Sequence, residues 1–399
     1  MQKINYKNYP IYILLKKSVF IVFLASFISC THHADEIDTN YVNIENSPEI
    51  VPNHLFSISS NDSFFFGDII DVKVIENGEI VVLDDESLSI HLLSNRGIHI
   101  KEQPIQGRGP GEIQNLSNRI RVTNSNLIAV DDYFMKKISL YKIFENSIEH
   151  VEDISLESSI GNFFLPDEGQ LVLKKSIMLN EDEPIDQIQR LNLSDQEKTG
   201  EAIEFPTQNS IKLTANMGEL NFMIETTTKF HVMNKYCSYE NNLYHIRTDS
   251  LGFRVFNLDD GNEVFSSIYN QPVKKVSYEE KVMEVDRILD SGKEFWGESE
   301  KQRIMSEMPD IKPVVQSIVC DLPNGIWMKL MDDGTEEDEN EDKKEERWLL
   351  LSENGEIKGL FNNNLDGKII SFHKGNIFTS NISEEGEIVL DTYDYKITQ

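Results

Sequence analysis

Residues 69–100 read "IIDVKVIENGEIVVLDDESLSIHLLSNRGIHI" and set four short β-type runs between three turn signals. Asn77-Gly78 separates the first two runs, the acidic stretch from Asp84 separates the next pair, and Arg96-Gly97 precedes the last. Asn-Gly between alternating apolar runs is a strong hairpin signal, because its positive φ angles match the twist of antiparallel strands. The segment therefore reads as one antiparallel sheet of four strands. Sequences of the same kind recur roughly every 45 residues, the spacing expected of propeller blades.

Five further units follow, at 119–154, from 169–175 to 188–205, at 229–265, at 316–330 with 347–361, and at 368–397. The last is one strand short, and "HLFSIS" (54–59) is expected to supply it, closing the ring by joining the N-terminal strand to the C-terminal unit. The predicted fold is all-β: a six-bladed β-propeller of four-stranded blades spanning residues 48–399. Two segments interrupt it. At about 276–309, between blades 4 and 5, Ser277 and Glu280 form a capping-box pattern, and Tyr278, Val282, Val285 and Leu289 share a helical face. A second helix is predicted from about Ser299 to Met308. The insert reads either as packing against the rim or as a lid or docking element. Residues 332–346 hold ten acids and two lysines. They lack the ligand spacing and internal glycine of a calcium loop, so a solvated hairpin loop is expected.

The first 29 residues predict the compartment. Lys3, Lys7, Lys16 and Lys17 precede an apolar stretch, Val19 to Ile28, of about ten residues, too short to span a bilayer. It ends at "FISC", which resembles the lipobox of bacterial lipoproteins; a plain secretory signal or anchor is the alternative. The resemblance implies that 1–29 is a signal peptide, that Cys30 is lipidated, and that 30–47 is a flexible tether. Acids after Cys30 look like the surface-export signals of Bacteroidetes lipoproteins. The expected address is the cell envelope, lipid-anchored at the outer membrane on its periplasmic face or at the cell surface.

Charge narrows the partners. The chain carries 38 basic and 68 acidic residues, a net charge of -30. Losing the signal removes four lysines and no acid, leaving 34 against 68 and a net charge of -34. Such a surface disfavours nucleic acid and anionic headgroups, so a membrane would be held through the lipid on Cys30. Cys237 and Cys320 read either as one disulfide or as two buried thiols.

"PIQGRGPGEIQN" (104–115) joins blades 1 and 2. It lacks the G-x-G-x-x-G spacing and a following helix, so a phosphate cradle is rejected. Its glycines, Gly107, Gly109 and Gly111, would let the chain cross between blades at positive φ. Arg108 and Glu112 are either paired structurally or face the central funnel, and are the candidate binding residues. Ser139 and Lys142 match S-x-x-K on a strand that points them to opposite faces. No catalytic residues and no metal ligands emerge from the nine histidines.

The strings "FFFGDIIDVKVIENGEIVVLDD" (64–85), "SIHLLSNRGIHI" (89–100), "GRGPGEI" (107–113) and "CDLPNGIWM" (320–328), with the lipobox, resemble the six-bladed β-propeller lipoproteins of Bacteroidetes, related in architecture to NHL-repeat and TolB-like propellers. The resemblance covers residues 49–399 and implies fold and address; it carries over no catalytic residue. The expected function is a non-catalytic binding scaffold for a protein, peptide or glycan partner, with no cofactor. The alternative is a metal-dependent propeller enzyme of the gluconolactonase or lyase kind, in which several blades would hold a divalent metal such as calcium.

Overall fold

In the computed structural model the chain is described at residues 42–398, apart from 62–63, 124, 146, 158–161, 179–183, 208–209, 218–219, 273, 291–297 and 332–345. Cys30, the signal peptide and nearly all of the tether lie outside the described residues, as does almost the whole acidic run at 332–346. Strand β1 (Glu49–Ser59) comes first. Blade 1 follows as β2 (Ile69–Val74), β3 (Ile80–Asp84), β4 (Ser89–Leu93) and β5 (His99–Pro104), and blade 2 as β6 (Leu116–Val122), β7 (Leu127–Asp132), β8 (Lys137–Phe144) and β9 (Ser147–Ser155). Blade 3 is β10 (Asn162–Asp167), β11 (Gln170–Met178), β12 (Pro184–Asn192) and β13 (Lys198–Pro206). A hairpin, β14 (Ile211–Met217) with β15 (Leu220–Thr226), precedes blade 4, which is β16 (Asn234–Tyr239), β17 (Asn242–Arg247), β18 (Leu251–Asn257) and β19 (Glu263–Tyr269). Helices α1 (Tyr278–Leu289) and α2 (Glu298–Glu307) lead to blade 5, with β20 (Val315–Asp321), β21 (Gly325–Leu330), β22 (Arg347–Leu351) and β23 (Ile357–Asn362). Blade 6 is β24 (Lys368–His373), β25 (Asn376–Ile382), β26 (Ile388–Thr398) and, as its outer strand, β1.

The sequence pattern explains why the blades are so apolar. A strand of a propeller blade is covered on both faces, so it reads as a nearly continuous hydrophobic run. In β3, "IVVLD", every residue is buried. Alternate side chains serve opposite neighbours: Val81 and Leu83 join the core shared with blade 2, while Ile80 and Val82 join the core shared with blade 6. Six such cores fill the six interfaces of the ring.

Closure runs through β1, which makes ten antiparallel pairs with β26 and a parallel contact, Glu49 to Leu360, with β23. It begins five residues before the predicted stretch at 54–59. The register shifts between His54 and Phe56, leaving Leu55 as an extra, exposed residue. Because side chains alternate with period two, that bulge reverses the facing of everything after it. Ile50 consequently enters the core between blades 5 and 6, and Ile58 the core between blades 6 and 1.

Three findings here differ from the sequence reading. The third blade begins earlier than expected, at β10, and the β14–β15 hairpin belongs to no blade. This hairpin and the helical insert stand in successive connections, those before and after blade 4. They share a small core of Ile211, Phe230, Val285, Leu289, Ile304 and Met308. Ser277 and Glu280 form the predicted capping box. Tyr278, expected on the apolar face, is exposed, whereas Val276 just before the helix packs against that core. The strand order puts the hairpin and the insert at the end of the ring where the inner strands begin, since every outer-to-inner connection must return there. Cys237 and Cys320 form a disulfide between the inner strands of blades 4 and 5, spanning the 83-residue separation that contains the insert.

A chain starting at residue 60 should unfold at lower temperature and over a broader range than one starting at residue 43, because losing β1 opens a sheet edge and two cores. Calorimetry giving the same midpoint and the same sharpness for both would overturn the closure argument.

Candidate functional site

The glycine-rich connection is held by its own side chains. Glu112 accepts hydrogen bonds from the backbone N–H groups of Arg108 and Gly109 at 2.7 and 2.6 Å. Gly107 has φ +149° and Gly111 φ +69°. A Cβ on Gly107 would lie 2.0 Å from the Glu112 carboxylate, and one on Gly111 would meet the His150 ring at 2.6 Å. Gly109 has no positive φ; its Cβ would approach Glu112 at 3.1 Å. The loop is bound to the outer strands of blade 2. Asp153 accepts from Gly111 N, Ser139 Oγ and Lys137 Nζ, and Lys137 also donates to the Gly109 carbonyl. Burial pushes Asp153 up, but the Ser139, Lys137 and Gly111 donors outweigh it and hold the carboxyl below its ordinary range.

Thus the amides that a phosphate would need are spent on Glu112 and Asp153. Arg108 is exposed, with its Nε 2.7 Å from the Gln114 side-chain amide, whose oxygen accepts. Ser139 is engaged by Asp153, whereas Lys142 reaches Glu168 at 3.2 Å, so the S-x-x-K pair is not brought together. A cleft of about 370 Å³ between blades 3 and 4 is likewise structural. Arg190 crosses it to donate to Gln170, Asp259 and the Leu258 carbonyl, stitching the two blades.

A second concentration of polar groups involves the inner strands and, in blade 3, β11 and β12. Lys73 on β2 donates to Asp71 at 2.7 Å and to Ser371 of blade 6 at 3.0 Å. Asp71 also accepts from the Ile120 N–H of blade 2 at 3.0 Å. Arg121 on β6 donates through Nε to the Phe163 carbonyl at 2.8 Å and through a terminal nitrogen to Asn162 at 2.9 Å, with its guanidinium over the Phe163 and Phe164 rings. Lys174 pairs with Asp186 at 2.7 Å, and Asp186 also accepts from Tyr236. Burial is the largest influence on these cations. It lowers Arg121 to about 10 with help from the neighbouring Arg119 charge, and it lowers Lys235, with the Arg119 and Lys174 charges acting the same way. Burial lowers Lys73 too, against the opposing pull of Asp71, with Arg121 and Arg119 adding to the fall. The Arg119 charge thus adds to the lowering of Lys73, Arg121 and Lys235, while Asp71 opposes it at Lys73 and Arg121 and Asp186 opposes it at Lys235. His373, whose Nδ1 accepts from Val74 N, is held well below its ordinary value by burial and by Lys73.

The six-bladed architecture has a counterpart among known sequences. A family described as 6-bladed beta-propeller, DUF5128, matches residues 30–291. The chain belongs to that family. No curated protein matches the chain. Among solved structures, a Bacteroides fragilis protein described as exported superposes with TM-score 0.51 and 12% identity, over 88% of this chain and 96% of that one. A DUF4221 member from Bacteroides vulgatus gives TM-score 0.51 and 13% identity, over 88% and 99% of the two chains. At such identities the likeness is one of fold.

For this DUF5128 propeller, the inner-strand cations went unnoticed in the linear reading. Their signal is present, though faint: the first strands of units 1, 2 and 4 read "DVKV", "RIRV" and "NKYC", each with a cation where a covered strand should be apolar. Among the described residues no group of three His, Cys, Asp or Glu side chains converges to hold a metal ion. At the far end of β20, Asp321 is buried and accepts from Gly375 N at 3.0 Å, while its Oδ1 has no hydrogen-bond partner. Burial raises this carboxyl to about 6.

Two outcomes follow from these environments. Gly107→Ala should lower stability by about 1–3 kcal/mol, since it meets Glu112 at a strained φ, whereas Arg108→Ala should stay within about 0.5 kcal/mol. Chemical denaturation showing the two equally tolerated would remove the clasp from the argument. For Asp321, a folded-state pKa above the unfolded value means the protonated acid favours the fold. That contribution is complete below about pH 4 and is lost as pH rises through about 6. Asp321→Asn keeps an acceptor for Gly375, so the stability difference should move in the variant's favour by up to about 3 kcal/mol between pH 4 and pH 7. A difference that stays flat across this range would refute the assignment.

Proposed function

We propose that this chain is a lipid-anchored envelope propeller acting as a non-catalytic scaffold that docks a protein or peptide partner at the end of the ring carrying the hairpin and helical insert. The observation that carries the reading is the shared core of those two insertions. Two separate connections, on either side of blade 4, bury Ile211 and Phe230 of one against Val285, Leu289, Ile304 and Met308 of the other. Loops positioned by a rigid scaffold are where binding is usually built. Exposed apolar side chains stand on this platform, among them Tyr278, Met283 and Ile311. Aromatic residues and methionine at a surface suit a protein or peptide contact.

The address rests on different support. The family match begins at Cys30 itself, and the Bacteroides fragilis structure of the same fold is described as exported. Lipidation of Cys30 would tether the ring by the residues before β1. Since the surface is strongly acidic, a lipid and not electrostatics would keep it on its membrane.

Cys30→Ser should move the protein from the membrane fraction to the soluble fraction of cells; retention on the membrane would end the lipoprotein reading. Photo-crosslinking groups placed at Tyr278 or Met283 in growing cells should yield a discrete adduct, and one at Asn77, in a turn at the opposite end of the ring, should not. No adduct at either platform position, or adducts at both ends alike, would overturn the docking reading.

A further inference from the structure

The rim of the ring is built from the outer strands of the blades, and an outer strand presents a row of unpaired backbone groups unless something covers it. Most of these edges carry charge or proline where a further strand would pair. β5 reads "HIKEQP", β9 "SIEHVEDIS" and β13 "KTGEAIEFP". β23 holds Lys358 and touches β1 at Leu360, and β1 is interrupted at Pro52. β19 differs. After Glu263 it runs "VFSSIY" (264–269), with no charge, glycine or proline in a chain of which 27% is charged. Among the described residues, no other strand or helix lies along its outer edge.

One face of β19 is also incomplete within its own blade. Phe265 and Tyr269 pack against the core shared with blade 5, so Val264, Ser266 and Ile268 stand on the other face. Val264 is 57% exposed and Ile268 47%. Cross-strand pairs are the unit from which a sheet draws its side-chain stability. Ile268 faces Gly252 on β18, which offers no side chain, and Val264 falls at a register shift and has no paired residue there. Both apolar side chains therefore lack a cross-strand partner inside the blade. The strand itself is firmly seated. Tyr269 donates to the Gly355 carbonyl of blade 5 at 2.5 Å, and a Cβ on Gly355 would lie 2.2 Å from Ser267 Oγ, so the blade 5 turn closes on the face opposite Val264 and Ile268.

We propose that β19 pairs with β19 of a second copy of this chain, antiparallel about a two-fold axis through Ser266. Val264 of each copy then faces Ile268 of the other, Phe265 faces Ser267, Glu263 faces Tyr269, and Ser266 meets its own counterpart. The apolar side chains that have no partner within one blade complete one another twice, and no charge meets a like charge. Two four-stranded blades become one eight-stranded sheet. The two-fold join consumes the edge of both copies, so association closes at two instead of growing into a filament. Charge favours this edge over the other outer strands. A chain of net charge -30 repels its copy, whereas the strands that approach here are uncharged from Val264 to Tyr269. The join lies on the rim and does not depend on what docks at the hairpin and helices.

The test uses the full chain purified in detergent, with micelles in excess over protein so that shared micelles do not mimic pairing. Sedimentation at concentrations up to about 100 μM should show a two-copy species, strengthened by added sodium chloride because screening relieves the repulsion of two acidic rings. Ile268→Lys and Val264→Lys should each raise the dissociation constant at least about tenfold, with the melting temperature of the dilute protein unchanged. Ile382→Lys, at an exposed position of blade 6, should sediment like the wild type. With Ser266→Cys, mild oxidation should cross-link the pair, because residues directly opposite in antiparallel strands have Cα atoms about 4.5–5.5 Å apart, within disulfide reach. Ser57→Cys, exposed on β1, should give no cross-link. A wild type that stays monomeric throughout, or pairing that weakens with salt, would overturn the proposal. So would pairing that Ile268→Lys and Val264→Lys leave intact, that Ile382→Lys weakens equally, or that Ser266→Cys fails to cross-link. A monomeric wild type whose Ser266→Cys variant attaches to a different protein in growing cells would assign the edge to a foreign strand and end the self-pairing reading.

Discussion

The pairing of β1 with β26 is the interaction on which the ring depends. Every blade buries both faces, so an unclosed ring would expose two apolar sheet faces and an unpaired edge at once. Here one strand serves both sides of the closure. Ile50 packs toward blade 5 and Ile58 toward blade 1, a division produced by the single extra residue at Leu55. Without the bulge, the even spacing of the two isoleucines would send both to the same side. Closure is therefore a matter of register as much as of hydrogen bonding.

Once the ring is closed, the inner strands become neighbours in a fixed order, and groups far apart in sequence are forced together. The disulfide between Cys237 and Cys320 reinforces that order at the interface where the chain departs furthest, since the helical insert separates blades 4 and 5. Cross-linking over a separation of 83 residues restricts the unfolded chain by an amount on the order of 4 kcal/mol in the entropic account. Arg190 does similar work between blades 3 and 4 with hydrogen bonds alone. Blade 4 is thus tied on both sides, and it is also the blade flanked by the hairpin and the helices.

Much of the architecture was legible because turn chemistry and alternation are local. Asn77-Gly78 and Arg96-Gly97 mark the hairpins of blade 1, and the capping box at Ser277 marks α1. The β14–β15 hairpin was not read, since it belongs to no blade and falls outside the regular spacing. Tyr278 fits the helical apolar stripe by position yet stands free, because periodicity shows which face a residue occupies but not how far the facing core extends. The glycine loop was read as a blade junction. Its clasp by Glu112 and Asp153 was hidden, since Asp153 lies more than forty residues from the loop it holds. The disulfide was left open for the same reason: the two cysteines meet only when blades 4 and 5 do.

The axial cations were hardest to read, and the reason is physical. A linear pattern records groups that one helix, one turn or one strand brings together, whereas a propeller axis takes a residue or two from each of several strands. Lys73, Arg119, Arg121 and Lys235 look singly like the ordinary solvated charges of an acidic chain. What distinguishes them is their place on the first strands of their blades, where a charge is met by a neighbour or by water. Asp71 meets that need for Lys73, and Asp186 meets it for Lys174. Asp186 also draws on Lys235, and Arg119 is exposed; both cations lie on first strands, which start at the end of the ring bearing the hairpin and the helices. The opposite end is closed by short turns such as Ile75–Glu79, which leave little chain from which to build a surface. A ring whose blades are this constrained concentrates its freedom to bind at one end, where the long connections lie.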